Sequence, residues 1–381
     1  MEGTLRNLGF RLEFTPIPRK ANRPMNRHSM PASAKRSRPA AEKPRSYRGY
    51  ALLAAGAAAA TTAAVVYARA KRAERRHPPT GRLLEVDGIR VHVDMTGEGP
   101  PVVLLNGNGT MVQDWAISGL VDTLRRDFRV IAIDRPGYGY TERPRTRLWT
   151  APAQADLIWK TLLRLDIERP IVVGHSWGTM AALALALDHP EAVRALVLLS
   201  GYYFPTKRLD VWAFAPPAIP VVGDVMRYTV SPLLGSVLAP KMVAKMFEPL
   251  AVPRRFTTRF PIDLALRPWQ IRASAEDSAF MVPGAAALQK RYRELRLPVA
   301  ILSGTEDRVV TPKHQSVRLT DRIEDAELTL VPGIGHMLHY FAQDEIARAV
   351  ERVAARSNAE ADVMPHRPTS TPTQTLLAAG Q

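Results

Sequence analysis

The chain has 381 residues, 46% of them hydrophobic, enough to bury a core over most of its length. Its formal net charge of +16 lies almost wholly in residues 1–82, where 18 Lys/Arg face 4 Asp/Glu, leaving 34 against 32 in the rest. That nearly neutral remainder has no basic stripe interleaved with aromatics, which argues against a nucleic-acid-binding domain, and the lack of cysteine excludes a disulfide framework, a thiolate metal site and a thiol nucleophile.

Residues 1–48, rich in Arg, Lys, Pro and Ser with little apolar periodicity, read as a disordered basic arm in which Met25 and Met30 are alternative starts. Gly49 to Tyr67, "GYALLAAGAAAATTAAVVY", is 19 residues without a charge. As a helix it spans roughly 28 Å, close to the hydrocarbon thickness of a bilayer. Tyr50 and Tyr67 suit the two interfaces, so the stretch reads as a single membrane anchor, weakly apolar because nine of its residues are alanine. The alternatives are a cleaved secretory signal with "ARA" at 68–70 as its cleavage site, giving a secreted or periplasmic protein, an Arg-rich transit peptide, or a soluble linker. Basic residues on both flanks leave the orientation open, and residues 68–81 read as a basic linker.

From Arg82 strands and helices alternate. Two alternating runs meet at Asp87-Gly88, a hairpin signal. "PVVLLNGNG" is a buried strand ending in a Gly-rich loop, and "FRVIAIDRPGYGYTERP" a strand ending in a Gly/Pro loop. A helical stretch around Ala153 to Leu165 leads to "PIVVGHSWG", a further helix and "VRALVLLSG". This rhythm predicts an α/β fold with a mostly parallel sheet covered by helices on both faces. It breaks over residues 202–295, which are rich in Pro, aromatics and Met, and resumes with "LPVAILSGTEDRVV", "AELTLVPGIGHML" and a last helix. The expected organisation is a core over residues 82–201 and 296–356, an insertion over 202–295, and a disordered tail over 357–381.

Gly174-His175-Ser176-Trp177-Gly178 lies where a buried strand gives way to a small-residue helix. This is the nucleophile-elbow pattern: the serine sits on a strained turn, and Gly174 and Gly178 let backbone pass close by. The helix that follows points its N–H groups and positive dipole end at the reacting centre. A serine hydroxyl needs a base, and the base an orienting acid, in the chain order Ser, Asp or Glu, His. Asp307 in "SGTEDRVV" and His336 in "PGIGHMLHY" both follow apolar strands, at the sheet edge where such folds gather their chemistry. His336 is assigned as base and Asp307 as its orienting acid. Glu306 and His339 are the competitors, and His175, His189 and His314 read as structural or surface. For the oxyanion hole the expected backbone donors are Trp177 and Asn108, with Asn106 and Gly107 shaping the "NGNGT" loop, which lacks the P-loop lysine.

Residues 83 to about 356 resemble the α/β-hydrolase superfamily through "LLNGNGTMVQDW", "VIAIDRPGYGYTERP", "VVGHSWG", "LSGTEDRVV" and "VPGIGHML". The resemblance implies a cofactor-free hydrolase, with no metal, whose mobile, mainly helical cap lies between core strands 6 and 7, here residues 202–295. One departure concerns the first loop: the family usually has His-Gly where this chain has Asn106-Gly107. Serine at 176, where dehalogenases and epoxide hydrolases of the superfamily carry Asp, argues against those two activities. The expected function is a serine esterase, lipase or thioesterase acting through an acyl-enzyme on a small, apolar carbonyl substrate. The alternatives are a carbon–carbon bond hydrolase, a perhydrolase-like haloperoxidase or an acyltransferase on the same triad, or a non-catalytic ligand receptor on the same fold. Oligomeric state is not legible.

Overall fold

The computed structural model describes residues 47–207 and 215–363, so residues 1–46 of the basic arm, residues 208–214 of the insertion and the last eighteen residues lie outside it. Of the chain's two units the first enters the described residues only through 47–50, and the second runs from Ala51.

Among the described residues eight strands form one sheet in the order β1-β2-β4-β3-β5-β6-β7-β8. Strands β1 (Arg82–Val86) and β2 (Ile89–Thr96) make the antiparallel hairpin expected at Asp87-Gly88, and β2 pairs antiparallel with β4 (Arg129–Ile133). From there β3 (Pro101–Leu105), β5 (Ile171–His175), β6 (Ala195–Leu199), β7 (Val299–Gly304) and β8 (Ala326–Val331) are all parallel. Central strands "IVVGH" and "ALVLL" are buried at every position, as a parallel strand covered on both faces requires.

Side chains alternate between the faces. Val103, Leu105, Ile131, Ile133, Val172 and Leu196 enter one core cluster and Val102, Leu104, Val130, Ile171, Val173 and Val197 the other. The first face carries α4 (Ala151–Arg164) and α5 (Gly178–Asp188); the second carries α2 (Val112–Ser118), α3 (Leu120–Leu124) and α12 (Gln343–Val363). Helix α11 (Ser316–Thr320) bridges β7 and β8. Between β6 and β7 the insertion is helical: α6 (Val222–Tyr228), α7 (Val230–Phe247), α8 (Arg254–Arg259), α9 (Ile262–Ala265) and α10 (Pro268–Leu288).

Two boundaries differ from those expected. Helix α1 runs from Tyr47 to Arg76, so residues 68–76, read as part of a linker, continue the apolar helix without a break. Val66, Ala70 and Ala73, spaced to fall on one stripe, are buried, Glu74 pairs with Arg267 at 3.1 Å and Arg76 with Asp263 at 2.8 Å. The helix stops before Pro78-Pro79, which cannot donate to it. At the other end α12 extends to Val363, past the expected boundary at Arg356.

Candidate active site

The elbow follows from the sequence around it. Between β5 and α5 the chain turns through Ser176 at φ +52°, a left-handed conformation that costs a non-glycine residue energy unless its surroundings enforce it. Here Ser176 N–H donates to Leu199 O of β6 at 2.9 Å, and Ser176 O accepts from Thr179 N–H at 3.1 Å and from Thr179 Oγ1 at 2.6 Å. A Cβ at Gly174 would lie 2.8 Å from Gly178 O, and one at Gly178 only 2.3 Å from Leu105 O. Both glycines are there because backbone occupies the space a side chain would need.

His336 lies in the loop after β8, with Nε2 3.0 Å from Ser176 Oγ and Nδ1 2.9 Å from Asp307 Oδ2. The carboxylate makes Nδ1 the protonated nitrogen, leaving Nε2 to accept the serine proton. Asp307 is locked in turn: its Oδ1 accepts from the Val309 and Val310 N–H groups at 2.9 and 2.8 Å. Glu306, the competing acid, is exposed and lies against Thr305 instead. His339 donates through Nε2 to Asp114 Oδ2 at 3.1 Å. His175 is buried and donates through Nε2 to the main-chain oxygen of His336 at 3.1 Å, bracing the loop that carries that residue. Burial, with His339 and His336 close by, holds His175 well below the ordinary imidazole range, so it stays neutral. His189 stacks on Trp159 at 4.1 Å between ring centroids, and His314 is exposed.

The first-loop departure has a local explanation. Asn106 Nδ2 donates to Gly107 O at 3.0 Å and Thr110 O at 2.7 Å, while its Oδ1 accepts from Arg135 N–H at 3.3 Å. Asparagine thus closes the loop on itself. A Cβ at Gly107 would stand 3.0 Å from His175 Nδ1 and 3.2 Å from Ser176 Cβ, so the loop passes directly beside Ser176. Among the described residues neither the Asn108 nor the Trp177 backbone N–H donates to a protein acceptor.

Reading the sequence missed the groups that hold this loop. Arg135 is fully buried; its Nε donates to Asn106 O at 2.6 Å and its Nη2 to Gly107 O at 2.9 Å. With those carbonyls turned toward Arg135, the loop's peptide planes are set. The guanidinium sits 4.5 Å from the ring centroids of both Tyr138 and Trp177 and pairs with Asp277 of α10 at 2.6 Å. Gln154 Nε2 donates to the other oxygen of Asp277 at 3.0 Å. Burial and the Asp277 charge push the Tyr138 hydroxyl far above the usual phenol range, so it remains a donor, 2.8 Å from Asn108 Oδ1 and 2.9 Å from Asp277 Oδ2. The only local signal was an arginine inside "AIDRPGYGY"; its partner lies 142 positions along the chain.

The chain is similar to several known proteins. The chain is 32% identical over 271 residues to the 2-hydroxymuconate semialdehyde hydrolase of Pseudomonas sp. strain CF600, covering 69% of this chain and 90% of that one. It is 27% identical over 285 residues to haloalkane dehalogenase 2 of Mycobacterium tuberculosis, covering 72% and 94%. Among solved structures, the meta-cleavage product hydrolase CumD of Pseudomonas fluorescens IP01 has the same fold, with a TM-score of 0.54 at 24% identity over 73% of this chain and 99% of that one. Residues 100–343, more than half the sequence, match the model of the alpha/beta hydrolase fold, and the chain is a member of that family.

Proposed function

We propose that the protein is a serine hydrolase that cleaves a small, apolar carbonyl compound, an ester first among them, through an acyl-enzyme on Ser176. The observation that carries this reading is the chain of contacts from Ser176 Oγ to His336 Nε2 at 3.0 Å and from His336 Nδ1 to Asp307 at 2.9 Å. In this mechanism Ser176 Oγ attacks the carbonyl carbon as its proton passes to His336 Nε2, and Asp307 stabilises the imidazolium. The Trp177 and Asn108 N–H groups receive the developing oxyanion. Collapse expels the leaving group, which takes the proton from His336. Water, deprotonated by the same imidazole, then releases the acid.

Carbon–carbon bond hydrolysis is the second reading, favoured by the relatives named 2-hydroxymuconate semialdehyde hydrolase and 2-hydroxy-6-oxo-2,4-heptadienoate hydrolase. Here the leaving group departs as a stabilised carbanion, and the proton from His336 goes to carbon rather than oxygen. Serine at 176 weighs against dehalogenation, despite the dehalogenase relative.

For α1 the reading is a membrane anchor. Ala70, at the end of the alternative cleavage site, is buried in an unbroken helix, which supports retention over removal.

The deciding experiment gives the full chain, in detergent, p-nitrophenyl esters of increasing acyl length and a vinylogous diketone dienoate, beside Ser176→Ala. Ester turnover lost in the variant supports the first reading; faster dienoate cleavage, likewise lost, supports the second. Failure of both, with no labelling of Ser176 by a fluorophosphonate, overturns the acyl-enzyme and leaves a ligand receptor.

A further inference from the structure

Two neighbouring helices of the insertion, α6 and α7, leave a set of aliphatic side chains exposed. Helix α7 has 18 residues, of which only Phe247 is buried. Val230, Leu233, Leu234 and Val237, exposed at an i, i+3, i+4, i+7 spacing, make one stripe, with Val237 at 76% exposure. Ile219, Val221, Val222 and Val225, in and just before α6, are also more than half exposed. A soluble surface scatters such residues singly; a contiguous patch marks a docking face.

Helix α1 meets α7 where its own uncharged run ends. Val66, Arg69 and Ala70 share a shallow cavity with Pro232, Leu233 and Ser236 of α7. Beyond that point α1 continues without a break to its buried Ala73 and to the Glu74–Arg267 and Arg76–Asp263 pairs. From Tyr67 to Ala73 is about 9 Å of helix at 1.5 Å per residue. No hinge separates the uncharged run from the docked segment, so wherever the run goes, α7 is held at its end.

We infer that the α6–α7 face is a lipid-docking surface, its aliphatic stripe seated at the boundary between headgroups and acyl chains. The inference rests on the reading of α1 as an anchor. Lipid is the occupant because the patch borders the end of a bilayer-length uncharged helix and is flanked by exposed Arg69, Arg72, Arg75, Lys241 and Lys245, which complement anionic headgroups. The insertion thereby meets the membrane, and an apolar substrate is drawn from the lipid phase.

The sequence has no cysteine, so single cysteines carrying an environment-sensitive fluorophore report without background. Full-length chains with Ala58→Cys, Val225→Cys, Val237→Cys or Leu163→Cys are reconstituted in phosphatidylcholine–phosphatidylglycerol vesicles. Each is then quenched by spin-labelled lipid and by aqueous iodide. The expected result is lipid quenching at positions 58, 225 and 237 several-fold above that at 163, an exposed site on α4. Lipid quenching at 58 alone overturns the docking surface and leaves the anchor standing. Labels at 225 and 237 shielded from both quenchers report a protein contact and also overturn it. Iodide quenching at 58 overturns anchor and surface together.

Discussion

Trp177 Nε1 donates to the main-chain oxygen of Asp277 at 2.9 Å, so the residue after Ser176 is fastened to helix α10 of the insertion. The same helix holds the other proposed oxyanion residue: Asn108 Nδ2 donates to Ser274 O at 3.2 Å and to Ser278 Oγ at 3.0 Å, and Asn108 Oδ1 accepts from Ser274 Oγ at 2.6 Å. Three residues of one helix, Ser274, Asp277 and Ser278, thus position both residues proposed as backbone donors. This part of the insertion is a support for the site, in contrast to the first half of α7, where Val230, Leu233, Leu234 and Val237 stay exposed and only the far end packs on the body, through Phe247.

We therefore expect Asn108→Ala, which removes the tether but keeps the backbone N–H, to lower kcat about tenfold with KM within about twofold. Steady-state kinetics on the best substrate check this. A fall in kcat/KM through KM alone would point to substrate contact instead.

Arg135 and Asp277 are both fully buried, with further polar contacts to Gln154, Tyr138 and the loop carbonyls. Asp277→Ala strands a buried guanidinium and is expected to cost about 3–5 kcal/mol, read as a lowered urea midpoint. Asp277→Asn keeps the shape and part of the hydrogen bonding, so its loss should be smaller.

The two adjacent carboxylates give a direct test of assignment. Asp307→Asn should reduce kcat by about 10⁴-fold by disturbing the imidazole tautomer, while Glu306→Gln should leave kcat within about twofold. Equal losses would contradict the geometry at His336.

At Gly178 an added Cβ meets Leu105 O at 2.3 Å and Asn106 O at 2.6 Å, both backbone atoms that cannot rotate away. Gly178→Ala should destabilise by about 1–3 kcal/mol by denaturant melting. Activity should fall further than stability, because the strand end that shifts carries the oxyanion loop.

Two buried histidines give stability opposite pH limbs. Burial alone would lower His92, but Asp134 at 2.6 Å from Nδ1, together with the Thr80 carbonyl at Nε2, more than offsets this and holds it above the ordinary range. Its contribution is full below the unfolded value of about 6.5 and is lost as pH rises through the folded one. His175, held well below that range, contributes above about 6.5 and loses it as pH falls. Urea midpoints across pH should fall on both sides, and His92→Gln should flatten the alkaline limb alone.

The strands, the elbow and the order Ser176, Asp307, His336 were determined by the sequence itself, because each is a local pattern: an apolar run, glycines beside a turn, a loop after a strand. The sequence already put Asp307 ahead of Glu306; what the fold adds is the contact to His336 Nδ1 and the Val309 and Val310 N–H groups that hold the carboxylate there. Arg135 showed only as an arginine inside an apolar strand-and-turn stretch, since a buried ion pair is visible only when both partners are in place. Helix α1 was read too short for a related reason: Val66, Ala70 and Ala73 form a faint stripe, masked by the arginines between them, and small side chains reveal a docking face only against the surface they fit. Local periodicity thus determines the elements and their order, while tertiary packing decides which polar groups meet and which apolar faces remain open.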